Sequence, residues 1–224
     1  MRTALRQTAS ATSVPAWAFV AWGCLIVLAL RFVTRDALRY FALDEMVFGR
    51  FWPRKLWLLA HITGGIVALL LGPVQFWPGL RRKALAAHRW TGRLYLMGVL
   101  TAAGSAFHLA FFIPPDEGGW PAGVALFTLA CVWLTASAMA LVAIRGGLVG
   151  IHKEWMIRSY VLTFAFVTLR WWGDFPVISS TGTVTERIVT ISWVGWALPL
   201  LVTQMIFEVK RMRRESLAPA RSSV

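Results

Sequence analysis

The chain reads as an all-α, polytopic membrane bundle, and three observations predict it. Hydrophobic types make up 58% of the 224 residues and charged types 15%, where a soluble domain carries about 25% charged. The apolar residues come in six long blocks, five of them close to the roughly 20 residues that a helix needs to cross a ~30 Å hydrocarbon layer. Lys and Arg are distributed unevenly between alternate connections, as a fixed orientation in a bilayer requires.

The predicted spans run over about 16–33, 56–77, 88–113, 122–144, 153–173 and 188–207, in one integral membrane domain covering 1–224. The first follows an Arg-bearing start and resembles a signal peptide. No small-x-small cleavage site follows it, and Arg31 and Arg35 stand as a stop, so it reads as an uncleaved anchor. Segment 34–55 is the one sizeable extramembrane piece. Tyr40, Leu43, Val47 and Phe51 recur there at helical spacing between Asp36, Asp44, Glu45 and Arg50, which predicts an amphipathic helix on the outer surface.

In the second span His61, Gly65, Ala68, Gly72 and Gln75 share one helical face. That face admits two readings: a packing seam with Pro73 as a tolerated kink, or a binding slot with a polar group at each end. The fifth block has eleven uninterrupted apolar or neutral residues between Arg158 and Arg170. It spans only if one of those arginines lies within the membrane envelope or snorkels out of it. Arg170 lies five turns after His152, with Ser159 and Thr163 on or near the same face, so this span carries a polar stripe. Segment 210–224 is a basic cytoplasmic tail that ends rich in Ser and Ala.

The net charge of +13 invites a nucleic-acid reading, which its distribution rejects. With the N-terminus inside, 15 Lys and Arg fall on the inner side: two before the first span, five over 81–93, three over 145–158 and five in the tail. The outer side holds eight, six of them within 31–55, and the connection 114–121 carries only Asp116 and Glu117. The asymmetry selects N-in and C-in, with the lipid bilayer as partner and no nucleic acid. Trp17, Trp52, Trp57, Trp77, Trp90, Trp120, Trp155, Trp171 and Trp172 fall near span ends, the depth that suits an amphipathic ring. Cys24 and Cys131 lie inside apolar spans and read as buried thiols.

Four histidines carry the candidate chemistry. The topology sorts them by depth: His61 with His108 in an outer layer, His88 with His152 in an inner one. Paired imidazoles from different helices at one depth are what bis-histidine ligation of a b-type haem needs. Zinc also accepts histidine but usually takes three or four ligands, and Glu154 is the one addition near the inner pair. The plainer reading of each is a hydrogen bond to a carbonyl or a headgroup. His88 and His108 are twenty residues apart on one helix, so about 30 Å separates them along its axis. Arg93 and Arg158 lie near the inner pair, and an Arg fork suits haem propionate or lipid phosphate alike.

The acidic residues all fall in connections, tails or span ends, which counts against a proton-coupled pump with an intramembrane carboxylate. The sequence has no phosphate loop, nucleophile elbow, zinc-protease helix or Cys-x-x-Cys-His attachment motif.

Three motifs carry a resemblance: His61 with GPVQF at 72–76, HRWTGRLY at 88–95, and HKEWMIRSYVLTFAFVTLR at 152–170. On these the chain, over about 59–172, resembles the bacterial predicted membrane proteins grouped as domain of unknown function 2306. The resemblance implies a shared polytopic helical fold and the candidate histidines His61, His88 and His152; His108 lies outside the motifs. It supplies no reaction, and it implies the bacterial inner membrane as the location.

The expectation is a haem-b-type or related electron-transfer protein. His88 and His152 would be axial ligands, with Arg93 and Arg158 for charge compensation and His61 and His108 as a second, outer site. The alternative, from another class, is a non-catalytic module that binds a lipid or small apolar ligand or accompanies a membrane complex.

Overall fold

The computed structural model describes residues 16–176, 180 and 182–217, so readings of residues 1–15 and 218–224 lie outside the described residues. Every regular element among them is helical. The six long helices are α1 (Ala16–Phe32), α3 (Lys55–Phe76), α5 (Leu85–Ala110), α6 (Gly119–Arg145), α7 (Val149–Asp174) and α8 (Val184–Ser216). Two short ones, α2 (Glu45–Phe48) and α4 (Pro78–Lys83), lie between them. All six predicted spans coincide with long helices. The basic tail differs: α8 continues as helix through Ser216, carrying Lys210, Arg211, Arg213 and Arg214. Its other end starts from a capping box, in which Thr183 and Glu186 satisfy each other's backbone groups.

Segment 34–55 is not the single amphipathic helix its spacing predicts. It folds as a π turn (Val33–Ala37), a 3-10 turn (Leu38–Ala42), α2 and a second 3-10 stretch (Gly49–Arg54). Local chemistry breaks it. The Thr34 hydroxyl donates into the ladder at the Leu30 and Arg31 carbonyls, Leu43 turns left-handed at φ 55°, and the Asp44 carboxylate caps α2. Gly49 has φ 50° and Pro53 follows. Tyr40 and Phe48 turn inward and pack edge to face at 5.3 Å, while Leu38, Phe41, Leu43 and Met46 stay exposed.

Successive long helices run antiparallel. Gln75 and His61 of α3 meet Thr91 and Ala102 of α5. Ala140, Ser137 and Trp133 of α6 meet His152, Ser159 and Thr163 of α7. Gly195 and Gln204 of α8 meet Thr168 and Arg158 of α7. The closest crossing joins α3 to α5, where a Cβ added to Gly64 would lie 2.5 Å from the Gly98 carbonyl oxygen and one added to Gly98 would lie 2.8 Å from that of Gly64. Only glycine permits the backbones to approach so closely, the small-residue packing that helices use where lipid removes the hydrophobic drive between them.

Helix α7 is central, packed by α1, α3, α6 and α8. Leu162, Ser159 and Thr163 are fully buried, and Ala165 nearly so. Three stretches among the described residues, Glu45–Phe76, Gly119–Arg145 and Val184–Ser216, are long and apolar enough to cross a membrane. Neighbouring helices enclose the middle of α7, so Ser159 and Thr163 of its polar stripe meet other helices instead of lipid, while Arg170 is exposed.

Candidate functional site

The interior of the bundle holds a column of polar groups set by a seven-residue step. His88, Tyr95 and Ala102 occupy one face of α5, and His152, Ser159 and Phe166 one face of α7, because seven residues return a helix to within about 20° of the same direction. The middle level shows that these faces meet. The fully buried Tyr95 hydroxyl lies 2.7 Å from Ser159 Oγ and 2.9 Å from Thr163 Oγ1. Trp133 Nε1 donates to Thr163 Oγ1 at 3.0 Å, and Ser137 Oγ lies 2.8 Å from Ser159 Oγ. Two turns, or about 10 Å, along both helices lie His88 and His152, within electrostatic range of each other.

The two imidazoles differ in how they are held. His152 Nδ1 lies 2.8 Å from the Ala140 carbonyl oxygen. A carbonyl only accepts, so Nδ1 carries a proton, and in the neutral ring Nε2 keeps its lone pair. His88 Nδ1 is buried and has no hydrogen-bond partner among the described residues. Such an orphan is costly to hold inside a fold, and it calls for a partner.

At the other end, His61 Nδ1 donates to the Ala102 carbonyl at 2.8 Å, and its ring stands edge-on to Phe166 at 5.0 Å. Its Nε2 therefore also keeps a lone pair. His108 does not join it. The His108 ring stacks on Trp57 at 4.5 Å and lies against Phe112. The structure thus sets His88 and His152 at the same end of α5 and α7, within electrostatic range of each other, but directs His61 and His108 to different neighbours.

The candidate arginines are directed elsewhere. Arg93 is exposed, with its guanidinium 4.7 Å from the Trp90 ring centroid. Arg158 is committed to α8: it donates twice to Gln204 Oε1, at 2.7 and 3.2 Å, and lies between the Trp155 and Phe207 rings, with Glu154 at 3.7 Å. Arg81 and Arg89 are the cations close to His88. Arg170 is exposed beside Arg31 and Asp36 at the opposite end, so it contributes nothing to the His152 face.

The face of α3 is a seam. Gly64, Gly65, Ala68, Gly72 and Gln75 are buried, the Tyr160 ring covers Gly72, and Gln75 Nε2 donates to Thr91 Oγ1 at 2.7 Å. Tyr95, the last residue of the 88–95 motif, and Trp133 and Ser137, outside every motif, were not among the candidate residues. A signal for the first was present, since Tyr95 follows His88 by the same seven residues that separate Ser159 from His152.

Apolar helices, glycine-mediated crossings and a polar column enclosed by helices define a helical membrane protein. The chain belongs to the predicted membrane protein family DUF2306, whose model matches residues 58–207 and so covers α3 through most of α8. No curated protein and no solved structure matches the chain.

Proposed function

We propose that the protein is a six-span, N-in and C-in bacterial inner-membrane protein that binds haem b between His88 and His152 and transfers electrons. The observation that carries the reading is the buried, unpartnered Nδ1 of His88 on the face of α5 that meets the His152 face of α7 two turns away, with His152 held through its own Nδ1. The donor set suits the group: two neutral imidazoles on parallel helices of one bundle are the bis-histidine arrangement of b-type sites. When bound, haem supplies one-electron chemistry.

The rest falls to the chain's own residues. Ala140 fixes the His152 tautomer and ring direction, the outer-shell role a backbone carbonyl plays for metal-ligating histidine. Tyr95, bonded to Ser159 and Thr163, holds α5 and α7 in register two turns away. Arg81 and Arg89, in place of Arg93 and Arg158, are the cations near His88 and would make that end electropositive whichever anion it meets. His61, singly presented, makes an outer site with His108 the weaker part of the reading.

The test is an absorption spectrum of protein purified from haem-replete cells, before and after reduction. A Soret band that disappears in His88→Ala and in His152→Ala but persists in His108→Ala is expected. Colourless wild-type protein refutes the assignment. Reporter fusions after Gly79 and Gly147 should report cytoplasm and one after Gly118 the opposite side; a cytoplasmic signal at Gly118 refutes the six-span orientation.

The alternative, binding of a lipid or apolar small molecule, draws on one observation. An apolar cavity of about 170 Å³ lies between the end of α5 and the start of α6, lined by Ala110, Phe111, Trp120, Gly123, Val124 and Phe127. It predicts ligand retention that bulky substitution at Gly123 abolishes and that no histidine substitution alters.

A further inference from the structure

The connection from α3 through α4 into α5 concentrates positive charge without compensation. Arg81, Arg82, Lys83, Arg89 and Arg93 fall within 13 residues, and the stretch 77–93 contains no Asp or Glu. None of the five is in an ion pair among the described residues, whereas Arg50, Arg158 and Arg211 are paired with Glu117, Glu154 and Glu208. Arg82, Lys83, Arg89 and Arg93 are exposed and Arg81 partly so. Like charges this close repel one another, so the cluster is favourable only where an external anion neutralises it.

The flanking residues say where that anion sits. Trp77 is 64% exposed, Trp90 62% and Leu85 46%. Trp77 follows directly on α3, the helix of one membrane-competent stretch. Exposed indoles beside the end of a membrane-competent helix mark the headgroup layer. The Arg93 guanidinium lies over the Trp90 ring, which holds a cation at that depth. Apolar rings anchored in the interface and guanidinium groups beside them match an anionic phospholipid: acyl chains below, a phosphate at the level of the cations.

We infer that the 77–93 segment is a binding surface for anionic phospholipid headgroups. The ligand chemistry is a phosphodiester held by Arg81, Arg82 and Lys83 from α4 and by Arg89 and Arg93 from the first turns of α5. The surface lies beside His88 but does not rest on the haem reading, because it requires neither histidine.

Native mass spectrometry of the purified full chain from mixed phosphatidylglycerol and phosphatidylcholine micelles tests it. The wild type is expected to retain phosphatidylglycerol preferentially. In the triple variant Arg81→Gln, Arg82→Gln, Lys83→Gln the preference falls by roughly fivefold for each cation removed, while Arg35→Gln with Arg39→Gln at the opposite end leaves it in place. Wild-type protein in about 1 M salt, where the screening length is ~3 Å, should lose the preference as well, a measurement that stands if the triple variant does not fold. Equal retention of the two lipids, or a preference that survives salt, overturns the inference. So does loss of bound phosphatidylglycerol to millimolar inorganic phosphate, which would mark a free-phosphate site instead.

Discussion

The two ends of the bundle differ in how far the chain itself satisfies their polar groups. At the His61 end the protein supplies most of the partners, although Arg50 Nε is buried without one among the described residues. His61 bonds the Ala102 carbonyl, His108 stacks on Trp57, Arg50 pairs with Glu117, Arg54 lies 3.6 Å from the Phe112 ring centroid, and Thr185 bonds the Asp116 carbonyl. At the His88 end the histidine has a buried, unpartnered nitrogen, and of five neighbouring cations four are exposed and none is in an ion pair among the described residues. The contrast teaches where to look for function. A closed end spends its polar groups on holding the fold, and groups left open are available to something the chain does not contain.

The largest effect should come from the crossing that carries both ends. Gly64→Leu places a side chain against the backbone of Gly98 and Ala102, which cannot yield without separating α3 from α5. The expected loss is about 3 kcal/mol or more, at the upper end of overpacking costs, and it appears as lost expression or a collapsed melting temperature. A well-folded Gly64→Leu protein would show that the two helices are not locked together and would dissolve the comparison.

The next test strikes the comparison directly. His61→Ala removes a buried hydrogen bond and the ring against Phe166, at a cost of about 1–3 kcal/mol. His88→Ala removes an orphan and should leave the melting temperature of the ligand-free protein unchanged or raised. Equal destabilisation by both would show that the His88 end is as structural as the other. Tyr95→Phe, between the ends, loses the contacts to Ser159 and Thr163 and should cost about 1–2 kcal/mol by thermal melting. An unchanged melting temperature would remove Tyr95 as the tie between α5 and α7.

The smallest effect is expected at the α8 cap. Thr183→Ala removes the side chain that accepts from Glu186 N–H at 3.2 Å and should lower stability by about 0.5–2 kcal/mol. The loss should be local: amide exchange quickens over the first turn of α8 and not in α7. A loss that spreads into α7 would show that the closed end unfolds as one piece.

Much of this architecture was legible without coordinates. Hydrophobic block length placed all six long helices, because the requirement to satisfy backbone groups within each span makes an apolar run helical almost regardless of context. That His88 and His152 lie near corresponding ends of α5 and α7 was legible too, since rise per residue converts position in the sequence into height along a helix. Segment 34–55 was not: its apolar spacing is helical, but Thr34, Leu43 and Asp44 set local hydrogen bonds and a left-handed turn that periodicity does not register.

Direction around each helix axis is the other limit. Sequence alone determined an all-helical membrane protein, the approximate ends of its long helices, the imbalance of charge between its connections and the position of each histidine along its helix. Only the tertiary structure decided that α7 lies at the centre and that Tyr95 reaches Ser159. It also decided that His108 turns to Trp57 while His61 turns to Ala102, and that Arg158 serves Gln204. Depth follows from a count of residues along one helix. Which neighbour a side chain meets depends on how several helices rotate and cross, and the Gly64–Gly98 contact sets that crossing through the absence of two side chains.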